Sequence, residues 1–319
     1  MYLIMKELEL IKFLSVEHSG DEVLTLVEES YHENFGYQWN KFNKLQLDSF
    51  NGSSESKDRL IEQSELTPMD FNGKNILEIG AGNGRFTEVL LSFGAKVIAV
   101  DFSSAIYANH LNNFESVQAG NLLCIRGDVF DLPIENQSFD YVICYGVIQH
   151  TGDNEKCLDI LAGYVSDSGS LLVDIYSNSF KDYNPWIYLI RPFFSRIKSD
   201  ERMMEIVTKF VDFVFPLQLK ILTFLHGKSG VFKYLRYLIN RSPNSVYGIN
   251  LFLENKISIS VAKDWSICDT NDAWTPRHDD PVSFKKWIKL INALSIKYKF
   301  RIHCIKKCGQ GNCATLHKI

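Results

Sequence analysis

Short apolar runs alternate with helix-period segments through the middle of the chain, and that alternation is its clearest signal. Residues 75–79 form an apolar run that stops at a glycine-rich turn. Phe86, Val89, Leu90 and Phe93 then recur at the spacing of one helix face. A second run, 96–100, closes on Asp101, and a helix is expected from about Ser103, with Ser103 or Ser104 as its cap. A third run, 122–126, ends at Gly127 and Asp128, and a fourth covers 141–145. A helix follows over 156–165 and a fifth run over 170–176. Apolar strands separated by helices predict a parallel sheet covered on both faces, a Rossmann-like doubly wound α/β fold. Such sheets bind ligands beyond the carboxyl ends of their strands, so site residues should follow strands.

Around this core, assigned to residues 71–178, the pattern changes. Residues 1–70 read as a helical, partly polar lead-in or lid, interrupted by a turn at 51–56. Its apolar start is broken by Lys6, Glu7 and Glu9, so neither a signal peptide nor a spanning helix is expected. Residues 179–265 form a helical insertion, far longer than a strand crossover needs and rich in large rings. Two readings of it stay open. It is a subdomain with its own core, or a substrate lid whose rings line a pocket for an apolar or lipid-linked molecule. Its longest apolar stretch, 207–225, contains Lys209, Asp212, Pro216 and Lys220, which suits peripheral membrane contact better than crossing. Residues 266–319 are expected to complete the core, ending in a hairpin built from 298–305 and 311–317.

Charge and cysteine content narrow the function. The chain has 319 residues, with Lys plus Arg at 34 and Asp plus Glu at 38, a formal charge of −4. That balance gives no whole-chain attraction to phosphate backbones, so no nucleic-acid partner is expected. Seven scattered cysteines predict no disulfide framework and a reducing, cytoplasmic setting. Cys304, Cys308 and Cys313, near His303 and His317, lack the paired C-x-x-C spacing of metal ribbons, so no metal is expected.

The glycine-rich turn runs from Glu78 through Gly80, Ala81, Gly82, Asn83 and Gly84 to Arg85. A dinucleotide loop needs a glycine where Arg85 stands. Glu78 would repel a pyrophosphate and suits a cationic ligand. This tilts the choice from NAD(P) toward S-adenosylmethionine, which carries a sulfonium and an ammonium. Asp101, about 20 residues beyond the loop, stands where an acid accepts from ribose hydroxyls. Asp128 ends the third strand and can accept from an adenine amine.

Residues 77–87, 100–103, 127–133 and 138–150, taken together, resemble class I S-adenosylmethionine-dependent methyltransferases of the UbiE-like branch. The resemblance implies a sheet of seven strands with an antiparallel last strand, and S-adenosyl-L-homocysteine as product. It implies that Glu78, Gly80, Ala81, Gly82 and Gly84 form the loop under the methionine part of the cofactor. Asp101 would hold the ribose, with Phe102 against the adenine and Asp128 and Val129 at its edge. Tyr145 and Gly146 would pass beneath the sulfonium. Segments 34–42 and 268–278 resemble a narrower group found beside surface-glycan and natural-product genes. The zinc ribbon of some relatives is not carried over, because the cysteine pairs are missing.

The acceptor side is less specified. His150, shortly after the fourth strand, is a candidate general base or else a structural cap of the next helix. Asp272, Arg277 and His278 are candidate acceptor contacts or else a loop whose charges face water. Tyr37 and Trp39 form a lid over the cofactor or belong to a packed helix. The leading expectation is O-methylation of a small-molecule, sugar-derived or lipid-linked acceptor. Its rivals are a non-catalytic S-adenosylmethionine-binding protein and an NAD(P)-dependent oxidoreductase.

Overall fold

The five apolar runs become five parallel strands: β2 (Asn75–Ile79), β3 (Lys96–Asp101), β4 (Leu122–Arg126), β5 (Phe139–Cys144) and β6 (Val165–Tyr176). The computed structural model describes residues 22–27, 33–179, 186–194, 196–197, 199–276, 278–309 and 311–319, so Arg277 lies outside the described residues. The terminal hairpin is β7 (Phe300–Cys308) and β8 (Gly311–Lys318), and β8 runs antiparallel between β6 and β7. An eighth strand, β1 (Leu24–Thr25), adds to the expected seven by pairing with Ile125 and Arg126 at the far edge. Two residues are too few to show a period. The order β1-β4-β3-β2-β5-β6-β8-β7 puts the topological switch between β2 and β5. The glycine turn follows β2, and Tyr145 and Gly146 follow β5, so both border the crevice where such sheets hold ligands.

The lead-in folds as α1 (Glu33–Lys41), α2 (Asp48–Asn51), α3 (Glu55–Ser64) and α4 (Pro68–Phe71). The sheet is covered by α5 (Arg85–Ser92), α6 (Ala105–Asn112), α7 (Phe114–Gln118) and α8 (Asn154–Tyr164). The insertion contributes α9 (Trp186–Phe194), α10 (Asp200–Leu225), α11 (Val231–Ile239) and α12 (Tyr247–Leu253). Then come α13 (Ile259–Trp274) and α14 (Phe284–Tyr298). Helix α13 runs unbroken through the border expected at 265/266. Within it the Ser266 and Thr270 hydroxyls each donate to the carbonyl four residues earlier, so neither is left unsatisfied by burial.

The insertion does have its own core. Val207, Val211, Phe215 and Leu222 of α10 are buried with Ile249, Trp265 and Cys268. Tyr37 and Trp39 of α1 pack on this core, while the face of α1 that carries Gly36 and Asn40 rests on the sheet domain at Ser104. A Cβ on Gly36 would come within 2.3 Å of Ser104 Oγ, and Asn40 Nδ2 donates to that same oxygen at 3.1 Å. Helix α1 is thus a wedge between insertion and sheet. One cysteine expectation fails: Cys308 and Cys313 are disulfide-bonded. The hairpin brings together two residues that flank its turn, which spacing alone did not mark as a pair.

Candidate active site

Three glycines of the turn have positive φ, +74° at Gly80, +54° at Gly82 and +96° at Gly84. Two of them are required by the protein itself. A Cβ on Gly80 would lie 2.0 Å from Val147 Cγ2, and one on Gly84 would lie 2.5 Å from Asn109 Oδ1. Gly82 differs, because nothing stands within 4 Å of its Cβ position. Its left-handed backbone faces open space, which is what a loop that cradles a ligand against bare backbone requires. The Gly82 N–H donates to Asp101 Oδ2 at 2.8 Å, and Asp101 Oδ1 accepts from Ser103 N at 2.8 Å and Ser103 Oγ at 2.6 Å. Phe102, half-buried, follows directly. Asp128 Oδ1 accepts from Phe130 N at 2.9 Å and so caps the short turn after β4. Val129 is 8% exposed and its side chain packs in the core.

Glu78 is buried beneath the loop and accepts a 2.6 Å hydrogen bond from Thr87 Oγ1. Thr87 accepts in turn from Asn109 Nδ2 at 2.8 Å. Burial pushes the Glu78 carboxyl up to about 8, with the Asp101 charge adding to the rise and the Thr87 bond opposing it. A cation nearby would favour the ionised form. The loop therefore fits S-adenosylmethionine, and a testable consequence follows. Below about pH 8 the free protein holds a proton on Glu78 that binding of a cationic donor expels. Donor affinity should rise with pH until that value and then level. Calorimetry near pH 7 in buffers of differing ionisation enthalpy should detect proton release, and Glu78→Gln should abolish it.

Beyond β5 and β6 stands a cluster of polar side chains that the sequence did not reveal. Asp174 accepts the Gly146 N–H through Oδ1 and, through Oδ2, pairs with Arg59 Nη2 at 2.9 Å. Burial alone would lower the Arg59 pKa, but the Asp174 carboxylate outweighs it and the net shift is upward. Tyr176 keeps 39% of its surface accessible, yet burial raises its hydroxyl well above the ordinary range. Its hydroxyl lies 4.0 Å from the Cβ position of Gly146. Arg85 donates from Nε to Ser56 Oγ at 3.1 Å, and its guanidinium lies over Phe86 at 5.2 Å and Trp265 at 5.9 Å. Burial first, and the charge of Arg59 second, bring it down to about 10.

The acidic segment expected as a loop is part of α13. Asp272 accepts from Gln38 Nε2 at 2.7 Å, and Asn271 Nδ2 donates to Gln38 Oε1 at 2.5 Å. Burial lifts Asp269 to about 6, and burial together with Asp269 lifts Asp272 to about 7. Both acids sit on this helix and have side-chain partners, Ser245 for Asp269 and Gln38 for Asp272, so they are not part of a solvated loop. His278 contributes differently from expectation: its side chain is exposed, while its carbonyl points inward.

That carbonyl lies 2.8 Å from His150 Nδ1. A carbonyl can only accept, so Nδ1 carries the proton and the lone pair of the neutral ring sits on Nε2. The ring crosses that of Tyr176 at 5.9 Å and 88°. Asp279 Oδ1 lies 4.0 Å from the same Nδ1, and Arg191 Nη1 holds its other oxygen at 2.6 Å. The capping role is taken by Asp153, whose side chain accepts from Lys156 N at 3.0 Å. Gln149, beside His150, accepts from Tyr176 N at 3.2 Å and fixes the end of β6 against this turn.

A family described as a methyltransferase domain matches residues 77–173, the stretch that carries the turn and the strand-end acids. These residues are a class I S-adenosylmethionine-dependent methyltransferase domain. That choice sets aside the dinucleotide alternative. The chain is 28% identical over 149 residues to a ubiquinone biosynthesis O-methyltransferase of Coxiella burnetii, covering 45% of this chain and 63% of that protein. It is 29% identical over 165 residues to phosphoethanolamine N-methyltransferase 1 of Triticum aestivum, covering 50% of this chain and 32% of the other. The chain thus spans less than two thirds of either relative's length. A solved S-adenosylmethionine-dependent methyltransferase from Aquifex aeolicus aligns over 89% of this chain and 98% of that one, at 9% identity and a TM-score of 0.45.

Proposed function

We propose that this methyltransferase places a methyl group on a hydroxyl oxygen of a small-molecule, sugar-derived or lipid-linked acceptor held between β5, β6 and α13. S-adenosylmethionine, when bound, supplies a methyl group already activated on sulfur. The chain's own work is then to align the acceptor and take its proton. The observation that carries the reading is the hydrogen bond between His150 Nδ1 and the His278 carbonyl, 2.8 Å, which leaves Nε2 as the basic nitrogen. An amine acceptor can lose its proton without such a base more readily than a hydroxyl can. Tyr176, Asp269 and Asp272 supply polar contacts for the acceptor.

Arg85 adds a preference. It is partly buried against Phe86 and Trp265, and among the described residues no carboxylate stands within ion-pair distance of it, the charges of Asp269 and Asp48 acting from further away. A desolvated guanidinium is costly until an anion pairs with it, so an acceptor bearing a carboxylate or phosphate is favoured. Incubation with labelled donor and a panel of hydroxyl and amine acceptors, each with and without an anionic group, tests both statements. A methyl ether is the expected product, and Arg85→Met should raise KM about tenfold or more for the anionic acceptor only. Transfer to amines alone would overturn the O-methylation reading. Tight cofactor binding with no turnover on any acceptor would favour a non-catalytic binding protein.

A further inference from the structure

The insertion carries a large apolar surface on α10 and α11. No residue of α11 is buried. Its residues Val231, Tyr234, Leu235 and Leu238 share one helix face and are 66%, 60%, 42% and 46% exposed. Helix α10 buries one stripe in the insertion core, which fixes its orientation, and turns Phe213, Leu217 and Phe224 outward. Phe224 and Phe232 meet edge to face at 6.1 Å, so the two helices present a joined surface. Lys228 Nζ lies over both rings, 3.2 Å from one centroid and 5.0 Å from the other. Clustered exposed rings and aliphatics of this kind mark an interaction face and not ordinary solvent surface.

Charge says what the face meets. Residues 213–253 hold five cations, Lys220, Lys228, Lys233, Arg236 and Arg241, and no Asp or Glu, in a chain whose net charge is −4. A second copy of the same face would set cation against cation. An anionic bilayer satisfies both features, since it takes rings and aliphatics at the level of its headgroups and attracts the lysines and arginines around them. No helix among the described residues is long and apolar enough to cross a membrane, so the contact is one of lying on the surface. We propose that the α10–α11 face docks the protein on anionic phospholipid membranes, with α11 seated at the headgroup boundary. This inference does not depend on the methyl-transfer reading, and the two fail separately.

Flotation of the full chain with phosphatidylcholine vesicles, with and without phosphatidylglycerol, tests it. The protein should float with the anionic vesicles and progressively less as salt rises. Lys228→Glu combined with Lys233→Glu should weaken that binding by about thirtyfold or more. Val231→Ser combined with Leu235→Ser should weaken it too, although every cation remains. Neither pair touches a buried position, and unchanged S-adenosylhomocysteine binding would verify the fold. The proposal is overturned if the wild-type chain stays unbound at low salt, or if the Lys228/Lys233 pair floats as well as wild type. It is also overturned if light scattering shows a dimer that the Val231/Leu235 pair splits, since a second copy would then be the occupant.

Discussion

Alanine in place of His150 is expected to lower turnover about a hundredfold or more while S-adenosylhomocysteine binds as before. The reason lies in the ring's tautomer. The His278 carbonyl at 2.8 Å fixes the proton on Nδ1, so the neutral side chain presents a basic Nε2 beyond the carboxyl end of β5. A histidine of this kind works in its unprotonated form, and wild-type turnover should therefore be lost as acid protonates the ring. The residual activity of His150→Ala should lose that dependence. The pH profile separates a proton-taking role from a structural one, because loss of the ring contact with Tyr176 would lower activity without changing the profile's shape. Turnover unchanged in His150→Ala would remove the residue from the chemistry.

Asp101→Ala is expected to weaken S-adenosylhomocysteine binding by about a hundredfold, the loss of two hydrogen bonds to a charged acceptor. Its carboxylate does two things. It braces the loop by accepting the Gly82 N–H at 2.8 Å, and it stands at the strand end where ribose hydroxyls are taken. Asp101→Asn keeps one carbonyl oxygen and should fall between wild type and Asp101→Ala. Calorimetry supplies the dissociation constants, and thermal melting without ligand checks the fold. An unaltered dissociation constant in Asp101→Ala would contradict the role.

The meeting of the glycine turn with the next strand end was legible because its signals are local. A β-strand, a turn of glycines and an acid at the next strand end follow one another within a few dozen residues, and Glu78, Gly82 and Asp101 meet in space as their order suggests. The long-range polar contacts were not. Arg59 and Asp174 form an ion pair across 115 positions, and Gln38 reaches Asp272 across 234. No local period reports such a meeting. The polar run at 269–272 looked like a loop because Asp, Thr and Asn favour loops, but within the folded helix Thr270 is satisfied by one of the helix's own carbonyls and Asn271 by Gln38. Arg85 was noticed only as the missing glycine of a dinucleotide loop, while its place over Trp265 required the insertion to be folded. The exposed face of α11 was equally hidden, since an apolar period in sequence predicts a buried side and cannot say that nothing covers it.

Helix α1 has a consequence for the order of events. Its Gly36–Asn40 face touches Ser104, three residues past Asp101, and its Gln38 grips Asn271 and Asp272 of α13. The donor and acceptor sites proposed above thus share a partition. A molecule that settles that partition from one side lessens what its counterpart must spend in ordering it, so each tightens the other's grip to the same degree. Such reciprocity favours an enzyme that loads both compartments before it turns over.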